Sequence, residues 1–347
     1  MRALLDRSIV RHLAIAVAAG VVLFVLTSVL DPYANLQIAT MGYYFVAVAG
    51  LTVLTGQNGQ ISLGHGALMA IGAYATVKLD EALALPLAAL LVLAAVVTAV
   101  AGLLAGAAAA RLRGPYHAGA TLALAVGLPA LASRFSGFLG GSNGLTVAPP
   151  TPPLALGETF PLERWQAWIV CVAGLVTYVL LANLVRSGHG RAMRAVRDDE
   201  IAAQLAGFHV ARTQIATFAV SAACAGLAGG LLVVVTSLAA PGAFTLTLSV
   251  ALLTGAILGG LGSLTGAVWG SVALVLIPNW SDDASKALSL SDNVQANLAL
   301  ALYGVVLIAV VLVAPHGALD AVRRVAAPAW WLKDQRDRGR VPREEGA

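Results

Sequence analysis

Charge is scarce in this chain of 347 residues: Asp, Glu, Lys and Arg together supply 11% of it. Ordinary globular domains carry about a quarter charged residues, so a soluble domain of this length is excluded. Lysine is rarer still. There are three, Lys78, Lys286 and Lys333, and none follows a glycine. A phosphate-binding loop needs Gly-Lys-Ser or Gly-Lys-Thr at its end, so the chain is not expected to hydrolyse ATP. No His-Glu-x-x-His and no Cys-x-x-Cys is present, and the six histidines are scattered, so neither a metal site nor a cofactor is expected. The two cysteines, Cys171 and Cys224, fall inside apolar runs and read as small packing residues. The apolar runs also contain no carboxylate, which argues against a proton relay, since carriers of that kind place costly acids inside the membrane. Sodium coordination by the carbonyls of broken helices stays open.

What is present is apolar sequence, 59% of the chain, with mean hydropathy +0.84. A spanning helix takes roughly 20 such residues. Clear spans are Leu13–Leu30, Leu85–Ala110, Trp165–Val185, Ile215–Leu238 and Ala296–Ala314. Shorter, glycine-interrupted ones are Ile38–Leu54, Gly64–Val77, Tyr116–Leu131, Thr247–Leu261 and Leu264–Ile277. The expectation is therefore an all-α polytopic membrane protein of about ten helices, some short or broken. Residues 1–12 form a short N-terminus, 13–315 the membrane domain and 316–347 a basic tail with Trp330 and Trp331 as an interfacial anchor. The first run is too long for a signal-peptide core and is read as retained. With the N-terminus inside, seventeen of the twenty-one basic residues fall on the inner side. The outer side holds Lys78, Arg134, Arg164 and Lys286. Such a bias favours this orientation, with both termini cytoplasmic. It also accounts for the net charge of +4 without a nucleic-acid partner.

Two polar features interrupt the apolar pattern. The first is an Arg-rich island, residues 186–213. Asp198 and Asp199 are good helix N-caps and Gly207 is a natural stop. The helix between them is short, and isolated helices under about 12 residues are marginal in water, so something must hold it. Ile201, Leu205 and Phe208 form one apolar stripe on that helix. The stripe either packs on the chain's own helix ends or docks on another protein. Arg194 is expected to be exposed. The second feature is glycine-punctuated: Leu51 to Tyr74, and again Leu258 to Gly270. Non-helical backbone at membrane depth survives where protein or a water-filled cavity surrounds it. Gln57, Asn58, Gln60, Ser62 and His65 are therefore candidates for lining a translocation pathway. The glycines Gly64, Gly72, Gly266 and Gly270 suit close helix packing equally well. Ser62-Leu-Gly and Ser263-Leu-Thr-Gly hint at an internal repeat.

These segments resemble branched-chain amino acid permeases of ABC importers. The similarity is carried by Leu54-Thr-Gly-Gln-Asn-Gly-Gln-Ile-Ser-Leu-Gly-His65, Ile71-Gly-Ala-Tyr74, Gly140-Gly-Ser-Asn-Gly144, the island Gly190 to Ala203, Ala225-Gly-Leu-Ala-Gly-Gly230, and Gly255 through Gly266. The resemblance implies the membrane-spanning subunit of a bacterial inner-membrane importer for branched-chain amino acids or related small polar solutes. It further implies alternating access driven by two separate ABC ATPase subunits, a second related permease subunit, and a periplasmic or surface-anchored substrate-binding protein. The ATPase contact would fall on Glu200, Ile201, Ala202, Ala203, Leu205 and Gly207. One departure is visible: the general ABC permease signature is Glu-Ala-Ala, three residues, then Gly, whereas Ile201 stands before the alanines here and Glu200 one step earlier. An ion-coupled carrier or a passive channel is the alternative.

Overall fold

Apolar runs of this length in lipid leave the backbone one economical way to satisfy its own hydrogen bonds, the α-helix, and the chain takes it. The computed structural model describes residues 2–83, 85–109, 115–157 and 159–287, with five further positions between 298 and 308. In order these form α1 (Arg2–Val29), α2 (Pro32–Leu51), α3 (His65–Leu83), α4 (Leu87–Ala109), α5 (Pro115–Arg134), the short α6 (Ser136–Leu139) and β1 (Leu145–Thr146). They continue as α7 (Leu162–Arg186), α8 (Gly188–Asp198), α9 (Glu200–Leu205), α10 (Val210–Thr236), β2 (Leu238–Ala239), α11 (Leu246–Gly259) and α12 (Leu264–Ala287).

Among the described residues, seven helical stretches are long and apolar enough to cross a membrane: Ile9–Val29, Pro32–Gln57, Leu87–Ala108, Leu162–Arg186, Val210–Thr236, Pro241–Gly259 and Leu264–Ser281. An eighth is the pair Ala118–Arg134 and Ser136–Asn143, which is bent by 96°. The expected span Gly64–Val77 is helical as α3, but it runs on into Lys78, Asp80 and Glu81 and is less apolar than the rest. The expected span Ala296–Ala314 and the tail 316–347 lie almost wholly outside the described residues.

The most enclosed of the spanning helices is α10, which packs against α2, α3 and α4. Its glycines explain the close approach. A β-carbon at Gly229 would collide with the Met69 carbonyl of α3, and one at Gly226 with Thr98 of α4. Small residues let backbones meet where lipid offers no hydrophobic drive to bring helices together. Helices α11 and α12 form a hairpin on the same device, Gly259 facing Gly266 and Gly255 facing Gly270. By contrast α1 packs chiefly on α7. Val17, Val21 and Val25 of α1, Val92 and Val96 of α4, and Val172 and Val176 of α7 remain exposed, as a lipid-facing surface requires.

At one end of the bundle, β1 and β2 pair antiparallel, Leu145 opposite Ala239 and Thr146 opposite Leu238. Gly144 enters this clip at φ +74°, and a β-carbon there would strike the Ala239 carbonyl. The start of α7 lies at the same end: Trp168 donates to Thr27 Oγ1 (3.0 Å), and Arg164 to the Ser28 carbonyl (3.1 Å). The Arg-rich island lies at the opposite end.

Candidate functional site: a capped short helix and a broken span

The island folds as two short helices. Asp199 caps α9, its carboxylate accepting from the Ile201 N–H (2.8 Å) and the Ala202 N–H (3.0 Å). Gly207, at φ +87°, closes it. The Phe208 N–H bonds back to the Ala203 carbonyl and the Gly207 N–H to that of Gln204, both at 2.9 Å. This is the double bond of a Schellman stop, which needs a left-handed residue where glycine stands. Ala203 is buried against Val196 of α8 and Val210 of α10, which fixes the helix by its inner face. Its other face is bare. Ile201 is 73% exposed and Leu205 86%, with Phe208 also exposed, beside an open groove lined by Gln204 and residues 207–212. Among the described residues, nothing packs on the stripe from the chain's own helix ends. Glu200 does not point away from the protein; its carboxylate accepts from Gln214 Nε2 of α10 at 2.8 Å. Ala202 is exposed as well.

The glycine-punctuated segment is a break in a span. After α2 the chain widens into a π-helical turn, Thr52–Gln57, and unwinds at Gly59 (φ +76°). It then runs without regular structure until α3 begins at His65. Here Gln57, Asn58, Gln60, Ser62 and His65 are all buried. Side chains from three other helices take up the freed backbone groups: Thr121 Oγ1 of α5 accepts from the Leu63 N–H (3.1 Å), and Ser249 Oγ of α11 from the Gly66 N–H (3.0 Å). Ser221 of α10 donates to the Gly50 carbonyl (2.8 Å) and lies 3.3 Å from His65 Nε2. Several buried atoms find no hydrogen-bond partner among the described residues: both amide atoms of Asn58, Gln60 Oε1, His65 Nδ1 and Thr52 Oγ1. Buried polar groups are nearly always paired, so such a concentration in one segment is unusual.

Gln57 stands apart from its neighbours. Its Nε2 donates to the Gly262 carbonyl in the α11–α12 turn (2.8 Å), and its Oε1 accepts from Arg194 of α8 (3.1 Å). Arg194 also donates to the Val185 carbonyl (3.0 Å) and is half-buried, contrary to the expectation of an exposed cation. Arg197 of α8 donates to the Gly56 carbonyl (2.7 Å). The island and the break are thus one connected structure. Sequence reading did not single out Arg197, Thr121, Ser221 or Ser249, since each acts on a segment far away in the chain.

Comparison with known proteins places these segments in one family. The family model for the permease component of branched-chain amino acid transport systems matches residues 33–311, which takes in the break, the island and the glycine hairpin. The chain belongs to this family. Among curated relatives, the high-affinity branched-chain amino acid transport system permease protein LivM of Salmonella typhimurium is 32% identical over 266 residues. The LivM protein of Escherichia coli is 29% identical over 265 residues. Each alignment covers 70% of this chain and 62% of the relative, so the chain spans under two thirds of their length. No solved structure shows significant similarity to it. The Gly140-Gly-Ser-Asn-Gly144 loop is a turn with left-handed glycines at 140, 141 and 144. It has the letters of a nucleophile elbow, but it runs from helix to strand rather than strand to helix, and Ser142 is exposed.

Proposed function

We propose that this chain is the multi-pass, inner-membrane subunit of an ATP-driven importer for branched-chain amino acids or related small polar solutes. The observation that carries this reading is the bare apolar stripe of Ile201 and Leu205 on a helix capped at both ends and fixed from behind. A soluble face of this kind needs a protein partner, and the family supplies its class, an ABC ATPase. Two such subunits dock beneath, one on this chain and one on a second, related permease. A binding protein delivers solute from the other side. Closure of the ATPases moves α8 and α9, and the pathway alternates between its two openings. Gln57, Asn58, Gln60, Ser62 and His65 line part of that pathway; the unpartnered atoms of Asn58, Gln60 and His65 support this, because polar atoms in lipid are retained where they have work to do. The island, and with it both termini, faces the cytoplasm, in keeping with its arginines.

The test is the energy source. Uptake of branched-chain amino acids in cells is expected to stop when the partner ATPase gene is deleted, and to survive collapse of the proton gradient while ATP is maintained. Uptake by this chain alone in proteoliposomes, driven by a pH or sodium gradient, would favour a carrier instead. Gradient-independent equilibration would indicate a channel.

A further inference from the structure

We propose that Arg194 and Arg197 form a strap that transmits movement of the coupling helices directly to the break in the second span, with Gln57 as its buckle. This rests on the importer reading above and goes beyond it by naming how the island acts on the membrane domain. Four hydrogen bonds make the strap. Arg197 holds the Gly56 carbonyl, Arg194 holds Gln57 Oε1 and the Val185 carbonyl, and Gln57 Nε2 holds the Gly262 carbonyl. The geometry leaves no slack. A β-carbon at Gly59 would sit 2.9 Å from Arg197 Cγ, and one at Gly56 would collide with the backbone of Gly262. On its other side α8 is joined to α9 by the single extended residue Asp199, and the two share a core at Val196 and Ala203. A pull on α9 therefore reaches Gly56 through the core shared with α8 and two charge-assisted bonds, which are the stronger kind. What it reaches is the irregular end of the second span: a π-helical turn followed by the left-handed Gly59, beside buried polar atoms with no partner among the described residues. Arginines 194 and 197 are positioning residues; the solute itself does not meet them.

The experiment uses the full complex of this chain, its companion permease, the ATPases and the binding protein in proteoliposomes. Leucine uptake is measured per ATP hydrolysed, together with labelling of Ile61→Cys by a membrane-impermeant thiol reagent, with and without nucleotide trapping. Ile61 is exposed beside the break and outside the strap. With the strap intact, trapping is expected to change the labelling rate. In Arg194→Ala, in Arg197→Ala and in the double variant the ATPases should still co-purify and hydrolyse ATP. Solute moved per ATP should fall about tenfold or more, the scale of one lost charged hydrogen bond, and the labelling change should vanish. Arg197→Lys, which keeps one donor for Gly56, should restore part of both. Normal uptake per ATP and a normal labelling change in the cut-strap variants overturn the strap while leaving the importer reading standing. If the ATPases do not co-purify even with the unmodified chain, both fall.

Discussion

Leu205 and Gly229 illustrate two kinds of dependence on single side chains. Leu205 contributes nothing to the isolated chain, being 86% exposed. Burying a side chain of its size at an interface contributes about 1.5–3 kcal/mol, and a carboxylate in its place adds a desolvation cost. Leu205→Asp is therefore expected to weaken ATPase retention by two or more decades, at about 1.4 kcal/mol per decade. Insertion and abundance should be unchanged, as co-purification and quantitative blotting will show. Gly229 is the reverse. Any side chain there drives into the Met69 carbonyl of a neighbouring helix, and overpacking of this kind costs about 1–3 kcal/mol or more. Gly229→Val should lower the thermal midpoint of the detergent-solubilised protein or prevent its recovery as a monodisperse species. Gly242, where a β-carbon would meet nothing within 4 Å, should accept Ala with no measurable change.

Helix α9 holds only six residues, far below the length at which a helix persists by itself in water. Its ends hold it: two bonds to the Asp199 carboxylate, two more at the glycine stop, and the buried Ala203 between them. Loss of an N-cap costs about 0.5–2 kcal/mol. Asp199→Ala should thus loosen the ATPase without unfolding the membrane domain, and Asp199→Asn should restore retention, with hydrogen exchange over 200–208 reporting the order of the helix. This element was legible in the sequence, because cap, stripe and stop lie within ten residues of one another. The break in the second span was legible in part. Glycines and amides marked Leu51–Tyr74 as irregular, yet the π-helical turn and the start of α3 at His65 depend on Thr121, Ser221 and Ser249, which hydropathy cannot connect to them. Arg194 read as an ordinary surface cation for the same reason: its partner Gln57 lies 137 positions away. The 96° bend after Arg134 left no trace in a hydropathy pattern that simply continues through it.

For the whole molecule, hydropathy placed the spans well because lipid imposes a length and a composition on each one independently. It did not reveal their order of packing, which glycine contacts between distant helices decide. The orientation gives a direct check. Single cysteines at Gly157 and Arg191, both in exposed positions, should react with impermeant reagents from opposite sides of the membrane, 191 from the cytoplasm; reaction from one side would invalidate the arrangement of spans. The small clip of β1 and β2 carries a different consequence, one of timing. Its two strands are separated by about ninety residues of chain, including α7 and the whole island. At ordinary rates of synthesis, about 5–20 residues per second, the second strand follows the first by roughly 5–20 s. Through that interval, in the orientation proposed above, Gly140–Thr146 waits on the far side of the membrane without its partner strand. The nascent protein therefore passes through a stage in which its far-side loop is open to proteases, and the arrival of α10 ends it.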